Sequence, residues 1–272
     1  MTDRKQWRTG ASASFVGKLD EGVMEDYAKA EIKSLEISFR NPYYDEISWK
    51  DLPRWSRQTG TELWSIHLPF GRVSENIAYI DKEVCDATLV RHKDLIGRAG
   101  EAGMKIVVIH PSSEPIADRD RPLLLDRSAE NLGILCERAA EFGMRVAVED
   151  LPRTCLGNCH EDIRYLLDRN PTLGVCFDTN HLLKDTNTAF VRALGDRILT
   201  LHVSDYDFID EKHVFPGEGL VDWKALQGEL EQVDYDGPFM YEVSNKAPGS
   251  VDGTGSRTLA DIRKNHLMLQ NL

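Results

Sequence analysis

Four residues in this chain carry acid–base or metal-binding chemistry and stand at the ends of apolar runs. Arg145-Val146-Ala147-Val148 leads into Glu149, and Gly174-Val175-Cys176-Phe177 leads into Asp178. Ile198-Leu199-Thr200-Leu201 leads into His202, and Phe239-Met240-Tyr241 leads into Glu242. A carboxylate that closes a buried strand is costly unless something positive answers it. Taken singly, Asp178 reads as a helix N-cap, the two glutamates as partners of buried arginines, and His202 as a hydrogen-bonded core histidine. Taken together, three carboxylates and one imidazole would repel one another and raise their own pKa values, and a divalent cation removes the conflict. Carboxylate oxygens with one imidazole nitrogen suit Mn²⁺, Mg²⁺ or Co²⁺, with Zn²⁺ also permitted.

Further candidates surround this set. His67 and His110 close two earlier apolar runs, His181 follows Asp178 by one turn, and His213 lies in a long loop after the seventh run. They are expected to bind substrate hydroxyls or to add ligands for further metals. For His67 and His110, a plain hydrogen-bonding place in the pocket wall is the alternative. Arg153 is the cation placed to offset part of the negative charge. His92, His160 and His266 read as surface residues. Cys155 and Cys159 are spaced like a metal or redox pair, yet no second cysteine pair completes a tetrahedron.

The elements that must hold these residues alternate. Period-two or fully apolar runs mark strands at 12–15, 34–39, 63–69, 105–111, 145–150, 174–178, 197–203 and 239–243. Helical spacing marks 21–30, 51–58, 81–102, 126–142, 160–168, 188–194, 223–233 and 259–269, with Gly103 and Gly143 as stops and Asp222 as an N-cap. Residues 249–255 read as a mobile loop. Eight strands alternating with helices and no linker between halves predict a (β/α)8 TIM barrel, one domain over residues 1–272. An open doubly wound sheet is the alternative, weakened by the lack of a Gly-rich phosphate fingerprint after the first strand. In a barrel, all the C-terminal strand ends open on one face, so the four ligands converge there, against one half of the mouth.

Composition narrows the partners. The chain has 272 residues, with 33 Lys plus Arg against 45 Asp plus Glu, a net charge of −12. An acidic surface repels phosphate backbones, so nucleic acid is disfavoured. The longest aliphatic run, residues 106–109, is too short to span a bilayer, and the first residues lead into no apolar stretch. The five cysteines are odd in number and widely spread, and Cys136 and Cys176 read as core residues. The expectation is a cytoplasmic enzyme, free of membranes, with oligomerisation open.

At this point the motifs meet a known family. Glu149-Asp150, Asp178-Thr179-Asn180-His181, His202-Val203-Ser204-Asp205, 217–223 (GEGLVDW) and Tyr235-Asp236-Gly237-Pro238 before Glu242 together resemble the sugar phosphate isomerase/epimerase superfamily, the xylose isomerase-like barrels, over nearly the whole chain. The resemblance implies one divalent metal held by Glu149, Asp178, His202 and Glu242. It implies that Glu149 and Glu242 form the acid–base pair that moves a proton beside a metal-held carbonyl, through an enediolate. Two glutamates acting on opposite faces give epimerisation, one acting alone gives isomerisation, and a departing β-hydroxyl gives dehydration. The same superfamily contains endonuclease IV-type DNA repair enzymes, so a metal-cluster nuclease is the alternative, and a non-catalytic sugar-binding barrel is a third reading. Members often have Asn where this chain has Asp150, and Lys where it has Ser204. Both departures are expected to make the mouth more negative and to favour a neutral sugar or polyol over a phosphorylated one.

Overall fold

The computed structural model describes residues 5–246 and 256–272. Among the described residues, eight strands alternate with eight α-helices. The strands are β1 (Thr9–Ser12), β2 (Ser34–Ile37), β3 (Glu62–His67), β4 (Ile106–Ile109), β5 (Arg145–Glu149), β6 (Gly174–Asp178), β7 (Ile198–His202) and β8 (Phe239–Tyr241). The helices are α1 (Glu21–Lys29), α2 (Leu52–Thr59), α3 (Lys82–Glu101), α4 (Arg121–Ala140), α5 (His160–Arg169), α6 (Asn187–Leu194), α7 (Trp223–Gln232) and α8 (Leu259–Gln270). All strand pairs are parallel, in the order β7-β6-β5-β4-β3-β2-β1-β8. Main-chain bonds from Val203 to Met240 (2.8 Å) and from Glu242 to Val203 (3.2 Å) join the two ends, so the sheet is a nearly closed (β/α)8 barrel. Among the described residues, no helix is long and apolar enough to cross a membrane. The loop expected at 249–255 lies outside the described residues.

Two apolar layers hold the barrel. The larger lies between strands and helices. A smaller one, of Trp64, Ile106, Val108, Ala147, Cys176 and Met240, fills the barrel interior. Side chains alternate along a strand, so the residue two places beyond an inward-facing one faces inward again, nearer the mouth. That rule carries Ala147 to Glu149, Cys176 to Asp178, Met240 to Glu242 and Val108 to His110. In β3 and β7 it needs help. A register shift opposite Leu35/Glu36 lets β3 turn from Trp64 to Ser65 and His67, and one opposite Val175/Cys176 lets β7 turn from Leu199 to Thr200 and His202. Each bulge re-aims the side chains beyond it.

Several boundaries differ from the sequence expectation. The first strand is Thr9–Ser12, and residues 13–15 form a 3-10 turn instead of the strand expected there. Gly10 pairs with Ser34 and Met240 in this strand, and a Cβ there would lie 2.9 Å from the Met240 side chain. Helix α4 begins at Arg121, five residues before the expected start, with a proline in its first turn, where the missing N–H costs nothing. His92 and His266 are buried, not on the surface. His92 lies on the inner stripe of α3 with Leu89, Leu95 and Ile96, and His266 bonds the Trp7 carbonyl at 2.9 Å. His160 is half-buried, its main-chain N–H and ring both held by Asp185.

Candidate active site

The four expected ligands converge. One ligand atom from each of Glu149, Asp178, His202 and Glu242 lies within 4.8 Å of the others. The hub is His202 Nδ1, which is 2.9 Å from Glu149 Oε1, 2.9 Å from Glu242 Oε2 and 3.8 Å from Asp178 Oδ2. Asp178 bonds the Asn180 main-chain N–H through Oδ1 (2.7 Å), while its other oxygen is buried with no hydrogen-bond partner. A buried carboxylate oxygen left unpaired amid two further carboxylates and an imidazole is what a divalent cation would complete. The donor set therefore fits the cation that the sequence implies.

Burial and charge set the ionisation of the group. Burial pushes Asp178 up, to about 6, with Glu149 and Glu242 adding to the rise against His181 and His213. For Glu149 burial acts upward too, but His202 and His110 hold its carboxyl well below the usual range. Glu242 is likewise brought down to about 2 by His202. His202 is raised well above its ordinary value despite burial, by the acids around it.

The sequence analysis passed over Glu36, halfway round the barrel on β2. It is fully buried, accepts from Ser65 Oγ at 2.8 Å, and has one carboxylate oxygen 3.1 Å from His202 Nε2. An Nε2–H donated to Glu36 leaves Nδ1 facing the three acids. Its signal lay in the alternation of β2. A barrel strand is buried on both faces, so the polar set Ser34, Glu36 and Ser38 had to point inside if Leu35 and Ile37 pointed out.

The flanking residues separate into wall and floor. A cavity of about 300 Å³ opens over the site, lined by Phe70, His110, Arg153, His181, His213 and Glu242 among others. His67 does not line it. It lies beneath, 1% exposed, with Nε2 2.9 Å from Glu149 Oε2, which His110 also approaches at 3.1 Å. His181 Nε2 is 3.3 Å from Glu211, another residue the sequence reading did not single out. Arg153 reaches the wall already engaged, by Glu114 (2.6 Å), Asp210 (2.7 Å) and Glu211 (3.0 Å). Cys155 and Cys159 are free thiols, and burial pushes Cys155 up to about 12.

The long loop after β7 is built on Asp205, which accepts from the main-chain N–H groups of Gly217 (2.8 Å) and Val221 (3.1 Å) and from Trp223 Nε1 (2.9 Å). A Cβ on Gly219 would sit 2.3 Å from Asp205 and from the Tyr206 carbonyl, so glycine is there for close packing of the turn. Asn180 Oδ1 then anchors the N–H groups of Lys212 (2.9 Å) and His213 (3.2 Å), which brings His213 over the cavity.

Residues 24–267 match the family described as the xylose isomerase-like TIM barrel. Among curated proteins, the chain is 24% identical over 235 residues to a D-psicose 3-epimerase of Enterocloster bolteae, covering 80% of this chain and 74% of the relative. It is 26% identical over 190 residues to an inosose dehydratase of Lacticaseibacillus casei, covering 59% and 63%. Against that dehydratase and two uncharacterised relatives, the match spans only 63%, 64% and 42% of the relative's length. A crystal structure of a D-tagatose 3-epimerase-like protein superposes with a TM-score of 0.80 at 25% identity, over 97% of this chain and 98% of that one. By the extent of the family match, carried on this barrel, the chain belongs to the xylose isomerase-like TIM barrel family.

Proposed function

We propose that this chain is a divalent-cation-dependent isomerase or epimerase of a small sugar or polyol, with dehydration as the outcome where a β-hydroxyl can leave. The observation that carries the reading is the pair of glutamates meeting at one imidazole nitrogen, Glu149 and Glu242, each 2.9 Å from His202 Nδ1. A cation held by Glu149, Asp178, His202 and Glu242 supplies Lewis-acid polarisation of a substrate carbonyl. The chain's own residues do the rest. Glu242 is the ligand that opens on the cavity, with 16% of its side chain exposed, and His202 keeps it ionised at neutral pH, in the state a base needs. Glu149 is sealed at 1% exposure, its second oxygen bonded by His67 and His110, and holds or returns the proton from below. His110, His181 and His213 on the wall orient substrate hydroxyls. Arg153 is saturated by three carboxylates, which favours a neutral substrate over a phosphorylated one.

The test is proton exchange with solvent. The cation-loaded protein is incubated in D₂O with a panel of ketoses and keto-inositols, and deuterium at the carbon beside the carbonyl is followed by NMR. Labelling that EDTA stops, and that Glu242→Gln lowers at least about 100-fold, is the expected result. No exchange with any member of the panel would refute the reading. The metal-cluster nuclease is kept as a second reading because five imidazoles, not one, meet at this mouth. Nicking of abasic duplex DNA would reveal it, and the net charge of −12 opposes it.

A further inference from the structure

A second cavity at the mouth has no part in the proposed reaction. It measures about 280 Å³ and lies between the loop after β3 and the stretch that leads from β4 into α4. Val73, Tyr79, Ile80, Ile116, Leu123 and Leu124 form its apolar walls. Three of these are turned to water, Val73 at 53%, Ile80 at 63% and Leu123 at 54% exposure. Single exposed aliphatics are ordinary, but three in one concavity leave apolar area that a ligand would bury. The concavity is also held open. Arg127 on α4 donates from Nη1 to the Tyr79 and Ile80 carbonyls (2.9 and 2.6 Å), and Asn131 Nδ2 donates to the Ile77 carbonyl (2.7 Å). The backbone of 77–80 is thus tied to α4 while the Ile80 side chain stays outside. A groove shaped before binding loses little conformational freedom when it is filled.

Its position says what fills it. Ser113 and Glu114 line both this groove and the cavity over the strand-end acids. The loop after β3 borders both as well, through Phe70 and Gly71 on the first and Val73 on the second. Phe70 packs against His110 with ring centroids 4.3 Å apart, so the border is apolar on the side of the acids too. The Glu114 carboxylate is taken up by Arg153, from Nε at 2.8 Å and Nη2 at 2.6 Å, so the charge on the shared wall is already paired. A group attached to a sugar seated at the acids would cross this wall into the groove. None of the described residues lining the groove is basic, and Asp120 stands at its edge, so the group it accepts is not an anion. A second copy of a chain with net charge −12 would bring like charge to the same edge.

We infer that the groove is a subsite for an apolar or aromatic group joined to the sugar, so that a sugar carrying such a group is preferred over the free one. Ile80 and Leu123 face each other's compartment as its exposed apolar contacts, and the group gains affinity by burying them. The inference deepens the proposed function and rests on it for the sugar at the strand-end acids.

The test compares matched sugars. Phenyl and methyl glycosides of a hexose panel are titrated into the cation-loaded protein by calorimetry, which needs no turnover, and D₂O exchange is followed on the corresponding keto sugars. The phenyl member should bind at least about tenfold tighter than its methyl partner. That ratio should fall to near one in Ile80→Asp/Leu123→Asp, whose replaced side chains are exposed in the folded chain. Equal affinities, no binding of any phenyl member, or a phenyl advantage that survives the double variant overturns the inference. A parent that sediments as a dimer, with the double variant a monomer, assigns the groove to a second copy and overturns it as well. A phenyl preference without exchange would sustain the subsite and remove the isomerase. Exchange with equal affinities would remove the subsite and leave the isomerase standing.

Discussion

Glu36 touches no expected substrate or cation, yet replacing it should weaken the cation site. His202 is the hub of the four ligands, and its Nδ1 is only as good a donor as its Nε2–H is well accepted. Glu36 supplies that acceptor at 3.1 Å in a fully buried setting. At a charge separation of about 4 Å and an effective dielectric near 20, the attraction to a cation-polarised imidazole is roughly 4 kcal/mol, which is a ceiling. In Glu36→Gln the amide keeps the size and one acceptor oxygen, which can still serve both Ser65 and His202. The charge goes, and an N–H₂ takes the place of the other oxygen, which also lies 3.1 Å from His202 Nε2. Losses at such supporting contacts run about 10–100-fold in metal affinity, or roughly 1.4–2.7 kcal/mol, within that ceiling. The assay is competition for Mn²⁺ or Zn²⁺ against a chromophoric chelator, with thermal melting of the cation-free protein as the check on folding. An affinity within twofold of the parent, in a protein that melts normally, would refute the chain of reasoning from Glu36 through His202 to the cation.

Two further expectations follow from the same geometry. A cation that binds only the folded barrel adds about 2.7 kcal/mol at a hundredfold excess over its Kd. At 2–4 °C per kcal/mol for a chain of this size, EDTA should lower the melting temperature by roughly 5–10 °C, and an unmoved transition would argue against a resident ion. Burial depresses His92 and His266, each to about 4 from an ordinary 6.5, so between those values the unfolded chain takes up protons that the folded one refuses. Stability should therefore be intact above about pH 6.5 and lost as pH falls toward 4, by up to roughly 3 kcal/mol per residue. Urea midpoints across that range would show a shallower slope in His266→Gln, and identical slopes would contradict the assignment.

The fold and the convergence of the four candidate ligands were legible because both follow from strand periodicity. An inward position two residues past Ala147, Cys176 or Met240 is inward again, so an apolar run ending in an acid or imidazole marks the mouth. Glu36 was hidden by the same periodicity, since alternation in 34–38 reads equally well as a strand half-exposed to water. His67 depends on the bulge in β3, which shifts its side chain off the wall and onto Glu149; no residue type in 63–67 announces that bulge. Glu211 and Arg153 meet only through loop conformation, with Arg153 at φ +52° and His213 at φ +47°, values that propensity does not foretell. His92 and His266 sit on the buried stripes of amphipathic helices, where hydrophilic character was read as exposure and burial won.

The same physics bears on the charge of the mouth. Asp150, where the family resemblance leads one to expect Asn, is fully buried, receives the Asp178 main-chain N–H at 2.7 Å on one oxygen, and has no partner on the other. Burial pushes its carboxyl well above the usual range, with the charges of Asp178 and Glu149 adding to the rise against His181. A carboxylate oxygen offers this N–H the same acceptor that a carboxamide oxygen would. Asp150 thus supplies a strut between β5 and β6, and its raised pKa tempers the negative charge it adds to the mouth. Negative charge also gathers at the rim, where Glu114, Asp210 and Glu211 outnumber the single Arg153 that ties them together. Under the proposed function, the loops after β4, β5 and β7 would screen a substrate's charge at the entrance, before the strand-end acids are reached.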